Sequence, residues 1–143
     1  MLMAYPTNLK HQKDGLILVA FPDVPEALTE AKTVSEALHE AQDALLAALG
    51  GYINTRRPIP SPSKLKRGQR LVFLPPLPAA KLALYQAMRD SNLTNVALGK
   101  RLKITEAAVR RLIDLDHRSH IGQVEEALTA LGKRLVVEIE KAA

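Results

Sequence analysis

The chain has 143 residues, a formal net charge of +5, 47% hydrophobic and 24% charged residues, and no cysteine. This length holds one ordinary domain or two small ones, and the composition excludes a disordered or fibrous chain. The missing cysteine excludes disulfides, thiolate-bound zinc and cysteine nucleophiles. No apolar run approaches the ~20 residues of a membrane-spanning helix. The N-terminal MLMAYPTNLKHQKDG lacks a secretory leader pattern, so a cytoplasmic protein with no membrane partner is expected.

Residues 1–31 read as strands. The apolar run Leu16–Phe21 follows a hairpin signal, Asp14-Gly15, and pairs with the preceding MLMAYPTNL. Pro6 should confine that first segment to a sheet edge or a strand end. Phe21-Pro22-Asp23-Val24-Pro25 stops the second strand. Thr33-Val34-Ser35-Glu36 is a capping box opening a helix, with Val34, Ala37, Leu38, Ala41, Leu45, Ala48 and Leu49 at helical spacing and Gly50-Gly51 as its expected end. A proline-rich loop, Arg56 to Ser63, leads to a short strand, Arg70–Leu74, that returns to the first sheet. Pro75, Pro76 and Pro78 read as a stiff linker between a domain of residues 1–76 and one of residues 77–143. Helices are expected over Ala79–Asp90, Asn95–Leu102, Glu106–Asp114 and Gly122–Leu131, the last closed by Gly132. The alternation in Arg134–Glu140 predicts a terminal strand with one buried face. The fold class is therefore α+β: a small sheet-plus-helix domain, then an all-α domain ending in a short strand.

The charge is unevenly spread. Residues 1–77 carry nine basic against seven acidic side chains, whereas residues 79–118 carry eight against four, Lys81 among the eight. The second half thus points to a polyanionic partner. Its spacing points to a helix-turn-helix. Gly99 supplies the small residue that lets two helices cross closely, and Leu98, Leu102, Ile104, Val109 and Leu112 stand where the wedge between them needs apolar groups. Lys103 occupies the turn position where many such motifs carry glycine, at a cost of ~1 kcal/mol. Thr105 caps the second helix. That helix would enter the major groove of double-stranded DNA, with Thr105, Glu106, Ala107 and Arg110 at base edges and Asn95, Lys100, Arg101 and Arg111 on phosphates. One such motif seldom binds tightly alone, so a homodimer or higher oligomer is expected. Leu135, Val137 and Ile139 of the terminal strand would pair across a two-fold axis, setting the recognition helices roughly 34 Å apart.

The chain as a whole resembles the HicB antitoxins of bacterial type II toxin–antitoxin systems. The resemblance runs through Tyr5-Pro6, Asp14-Gly15, Phe21-Pro22-Asp23-x-Pro25, Thr33 with Glu36-Ala37-Leu38, and Ala44-Leu45. It continues through Ile59-Pro60-x-Pro62-Ser63, Val72-x-Leu74-Pro75, Ala80-Lys81-x-x-Leu84, Val109-Arg110-Arg111-Leu112 and Ala130-Leu131-Gly132-Lys133. It implies a first domain like a cut-down ribonuclease H fold without nuclease activity, which binds and blocks a HicA-type mRNA-cleaving toxin. It also implies a second domain, ribbon-helix-helix or helix-turn-helix, that represses the operon. By the same resemblance Phe21, Pro22, Asp23 and Pro25 are candidate toxin contacts. The sequence departs from its relatives at Glu26-Ala27 and Glu30-Ala31-Lys32, where glycines are usual.

No catalytic residue, metal ligand or cofactor is expected. Asp14, Asp23 and Glu36 each have a place in a turn or a cap, and neither Glu40 nor Asp43 lies in a predicted strand, so no two-metal carboxylate cluster forms. His117 and His120 have a metal-pair spacing without a third ligand, and Ser61 and Ser63 have no base beside them. The rival reading is a freestanding helix-turn-helix regulator whose first domain senses a small ligand.

Overall fold

The computed structural model describes residues 4–142, so the first three residues of the expected N-terminal strand lie outside it. Four strands, β1 (Ala4–His11), β2 (Ile17–Ala20), β3 (Leu28–Ala31) and β4 (Arg70–Phe73), form one antiparallel sheet in the order β3-β2-β1-β4. β1 changes partner along its length: Ala4–Thr7 pair with β4, and Asn8–His11 pair with β2. Pro6 therefore stands inside a central strand, not at an edge. Only one flank is laddered at that position, and so a residue without an N–H fits. The Thr7 hydroxyl donates to the Ala20 carbonyl at 2.8 Å beside the point of exchange.

Helix α1 (Val34–Asn54) packs across the sheet through Ala37, Ala41, Leu45 and Leu49, all fully buried. Thr33 Oγ1 accepts the Glu36 N–H at 3.1 Å, and the Glu36 carboxylate reaches back to the Lys32 N–H at 3.3 Å. The helix does not stop at Gly50-Gly51. Tyr52 and Ile53 are buried beyond them, and that packing outweighs the ~1 kcal/mol that each mid-helix glycine costs relative to alanine.

The expected proline linker is instead the start of a helix. Pro75 is the N-cap of α2 (Pro76–Asp90), and Pro76 and Pro78 fill its first turn, where an N–H has no intrahelical acceptor anyway. After α2 come α3 (Asn95–Leu102), α4 (Glu106–Leu112) and α5 (Ile121–Ala130), all close to their expected bounds.

Four helices end by one device. α1, α2, α3 and α5 are each followed by a residue with positive φ: Arg56 (56°), Asn92 (51°), Lys103 (57°) and Gly132 (74°). In each case the next N–H returns to the last turn: Arg57 to the Tyr52 carbonyl, Leu93 to Met88, Ile104 to Gly99 and Lys133 to Leu128, each at 2.9 Å. Glycine or asparagine is the ordinary occupant, and arginine or lysine there costs roughly 1 kcal/mol or more.

The expected terminal strand does not form within the chain. Residues 133–142 carry neither helix nor strand. Leu135 packs partly on the core, while Val137 and Ile139 are 69% and 89% exposed. A strand needs a neighbour to take its backbone hydrogen bonds, and the surrounding half is helical. The two halves themselves share one core, joined by Tyr85 Oη donating to the Arg57 carbonyl at 2.7 Å and by the Arg89 guanidinium donating to the Arg56 carbonyl.

Candidate functional site

α3 and α4 cross at Gly99. A β-carbon built there would lie 2.8 Å from the Ile104 carbonyl oxygen, so no larger residue fits without parting the helices. Leu98, Val109 and Leu112 fill the wedge, Leu102 packs on it partly, and Ile104 is 38% exposed. Lys103 takes the left-handed conformation expected of it. Thr94 and Thr105 cap the two helices, each hydroxyl accepting the N–H three residues on, Ala97 and Ala108, at 3.1 Å.

Of the eight residues expected to meet DNA, Lys100, Arg101, Thr105, Ala107, Arg110 and Arg111 are exposed, and Asn95 and Glu106 are half-buried. Arg110 and Glu106 form an ion pair one turn apart on α4. That hydrogen bond is the main reason the Glu106 carboxyl is held below its usual range; the Asn95 side chain and the charge of Arg56 add to it. The basic fork is thus paired with an acid in the free chain.

The structure also adds a residue that the sequence reading left in the wrong place. Lys81 was counted with the basic surface, yet it is fully buried. Its ammonium donates to the carbonyls of Arg111 (2.8 Å), Asp114 (2.7 Å) and His117 (2.7 Å) and to Ser119 Oγ (2.9 Å). It therefore closes the C-terminus of α4, where helix carbonyls lack partners and a cation is favoured, and fixes the loop to α5. Burial pushes its pKa down, while the Asp114 carboxylate opposes that shift. A signal did exist: Lys81, Leu84, Tyr85 and Met88 recur at the spacing of one buried helix face. His117 and His120 serve this same loop, and among the described residues no group of three His, Asp or Glu side chains could hold a metal ion.

In the first half, the turn proposed for toxin contact is built around its own interior. Phe21 is 2% exposed and Val24 fully buried. Phe21 therefore presents no surface to a partner, and its place among the contacts is corrected on that ground. Asp23 accepts the Ser63 N–H at 2.9 Å and its hydroxyl at 3.0 Å, tying the turn to the proline loop. Tyr5 Oη makes a second tie to the Pro60 carbonyl at 2.7 Å. Of the four, Pro22 and Pro25 are exposed and Asp23 is half-buried. The Glu26 of the unusual segment accepts from Tyr52 Oη at 2.8 and 3.0 Å and from Arg57 at 3.3 Å, with the Arg57 guanidinium 3.9 Å above the Tyr52 ring. These partners tie the turn after Phe21 to the end of α1.

An apolar surface escaped the sequence reading. By register, Leu28, Leu71 and Phe73 lie on the sheet face turned away from α1, and they are 59%, 40% and 51% exposed. Two of them belong to β4 and one to β3, whose bounds the reading of residues 1–31 as strands does not separate.

Comparison with known proteins now bears on both halves. Residues 4–83 match a family model described as the HicB-like antitoxin of bacterial toxin–antitoxin systems. Antitoxin HicB 2 of Photorhabdus laumondii subsp. laumondii is 40% identical, over 93% of this chain and 94% of its own length. Antitoxin HicB 1 of the same organism is 38% identical, over 96% of this chain and 88% of its own length. Antitoxin HicB of Escherichia coli strain K12 is 38% identical, over 93% and 96% respectively. No helix is long and apolar enough to cross a membrane among the described residues. Membership of an antitoxin family supports a non-enzymatic role with a toxin as partner. The chain belongs to the HicB-like antitoxin family of bacterial toxin–antitoxin systems.

Proposed function

We propose that this antitoxin neutralises a HicA-type mRNA-cleaving ribonuclease through residues 1–76 and represses its own operon through residues 77–143. The observation that carries the second activity is the close crossing of α3 and α4 at Gly99, with Ala107, Arg110 and Arg111 left on the open face of α4. In this reading α4 lies in the major groove. Thr105, Glu106, Ala107 and Arg110 meet base edges, while Asn95, Lys100, Arg101 and Arg111 meet phosphates. The half-buried Leu135 and the exposed Val137 and Ile139 lie in a segment without a strand partner among the described residues. It becomes a strand when it pairs with a second copy, which brings two α4 helices onto one operator. For the toxin, the exposed Pro22 and Pro25 and the half-buried Asp23 are the contacts in this reading, and the apolar sheet face of Leu28, Leu71 and Phe73 lies in the same half.

A gel-shift assay of the full chain on the DNA upstream of its gene, with and without the neighbouring toxin, tests the DNA arm. Arg110→Ala should reduce the preference for operator over random DNA by ~1–3 kcal/mol. Arg101→Ala should weaken both about equally. An Arg110→Ala protein with its preference intact refutes the base-reading role. For the toxin arm, co-expression should rescue growth, and Phe73→Glu should lower that rescue while leaving the gel shift unchanged. No rescue by the wild type sinks the neutralising activity.

A further inference from the structure

Arg56 belongs by sequence to the first half, in the turn that ends α1, yet it stands beside the helices assigned to DNA. With Arg89, Thr94 and Asn95 it lines a cleft of about 320 Å³ between the end of α1, the end of α2 and the start of α3. Two arginines are among the residues that line that cleft, and no aspartate or glutamate is. Arg89 spends one donor on the Arg56 carbonyl, and a guanidinium has five. Arg56 is exposed, and its charge is felt at Glu106, the first residue of α4.

Its backbone adds a second argument. Arg56 occupies a left-handed position, φ 56°, that glycine would fill without strain. The turn is held by hydrogen bonds that include Arg56 N–H to the Ile53 carbonyl, Arg57 N–H to Tyr52, and the Arg89 guanidinium to the Arg56 carbonyl. The Arg56 side chain makes none of these. A strained residue whose side chain makes none of the hydrogen bonds that hold its turn is a residue to examine for function.

Resting on the DNA reading above, we propose that Arg56 and Arg89 together hold a backbone phosphate of the DNA that flanks the bases read by α4. The operator surface then spans both halves of the chain, and a partner bound to the first half sits on the same rigid body as the DNA contact.

The test uses the full chain with two duplexes, one of random sequence and one selected from a random pool for binding. Arg56→Gly keeps the turn and removes the charge. It should bind both duplexes about five- to tenfold more weakly near 0.1 M salt and lower the salt slope by about 0.9, the share of one phosphate. Its thermal midpoint should stay the same or rise. Arg56→Lys should restore both affinity and slope. Wild-type affinity and slope in Arg56→Gly, alongside a wild type that binds both duplexes, overturns this inference alone. A wild type that binds neither duplex overturns the DNA reading with it. If millimolar inorganic phosphate, at constant ionic strength, abolishes the contribution of Arg56, the cleft is a small-anion site and the proposal fails.

Discussion

The two halves of the molecule spend their signature residues in opposite directions. In the first half, the residues that carry the family resemblance turn inward or toward neighbouring loops: Phe21 enters the core, Asp23 holds Ser63, Tyr5 holds Pro60 and Thr33 caps α1. In the second half, the distinctive residue sets a shape, and the charged ones around it face out. Gly99 sets the crossing; Lys100, Arg101, Arg110 and Arg111 stay in solvent. A motif in the first half therefore reports how a surface is built, not which atoms a partner touches. In the second half, the spacing names the surface itself. Lys81 breaks this division, because it is a signature residue of the second half with its charge turned completely inward.

The largest effect should come from that exception. Lys81→Met leaves the carbonyls of Arg111, Asp114 and His117 without their donor, and a buried acceptor left unsatisfied costs ~1–3 kcal/mol, so a total loss of about 3 kcal/mol or more is expected. Urea denaturation should show that loss, and the gel shift should weaken with it. A loss below about 1 kcal/mol would return Lys81 to the ordinary surface charges. Next comes Gly99→Ala. Its new β-carbon meets a backbone carbonyl at 2.8 Å, which cannot swing away as a side-chain tip does. The cost should approach 3 kcal/mol, with DNA binding reduced more than the first half is disturbed.

The first half offers smaller tests. Burial, followed by the nearby Asp23 carboxylate, pushes the Tyr5 phenol up to about 12 from the ordinary 10.0. The folded state holds this proton more tightly than the unfolded chain. The stability it contributes is complete below pH 10 and is lost as pH rises through about 12. After a discount for solvent near the phenol oxygen, that amounts to about 2 kcal/mol. Alkaline unfolding curves of the wild type and Tyr5→Phe should diverge over that range, and parallel curves would remove Tyr5 as the cause. The smallest effect belongs to Asp23→Ala, which frees the turn from Ser63 at a cost of about 1 kcal/mol. If rescue from the toxin falls far more than stability does, Asp23 touches the partner after all, and the contrast between the halves narrows.

Legibility in the sequence followed the range of the forces involved. The helix caps at Thr33 and Thr105, the turn at Lys103 and the crossing at Gly99 depend on residues a few positions apart, and all could be read. Pro6 could not, because its tolerance depends on β1 exchanging β4 for β2, and its own partner in β4, Leu71, is distant in the chain. Pro76 and Pro78 were ambiguous for a local reason: the same residue that breaks a helix interior fits its first turn. The terminal strand was misread because period-two alternation describes a face to be covered without saying which chain covers it. The apolar outer face of the sheet needed the register of all four strands before Leu28, Leu71 and Phe73 could be placed on one face.

The lysine beneath α4 also has a consequence for how the chain comes into being. A helix of seven residues does not persist alone in water, since nucleation costs more than so few hydrogen bonds return. Synthesis delivers Lys81 thirty residues ahead of Arg111, so α2 leaves the ribosome with its ammonium still solvated and waiting. The candidate reading head is therefore not a prefabricated part. It holds its shape only within the folded chain, where Val109 and Leu112 are buried and its last carbonyls meet that ammonium, and a chain interrupted before Ser119 would have the cation without the full set of groups around it.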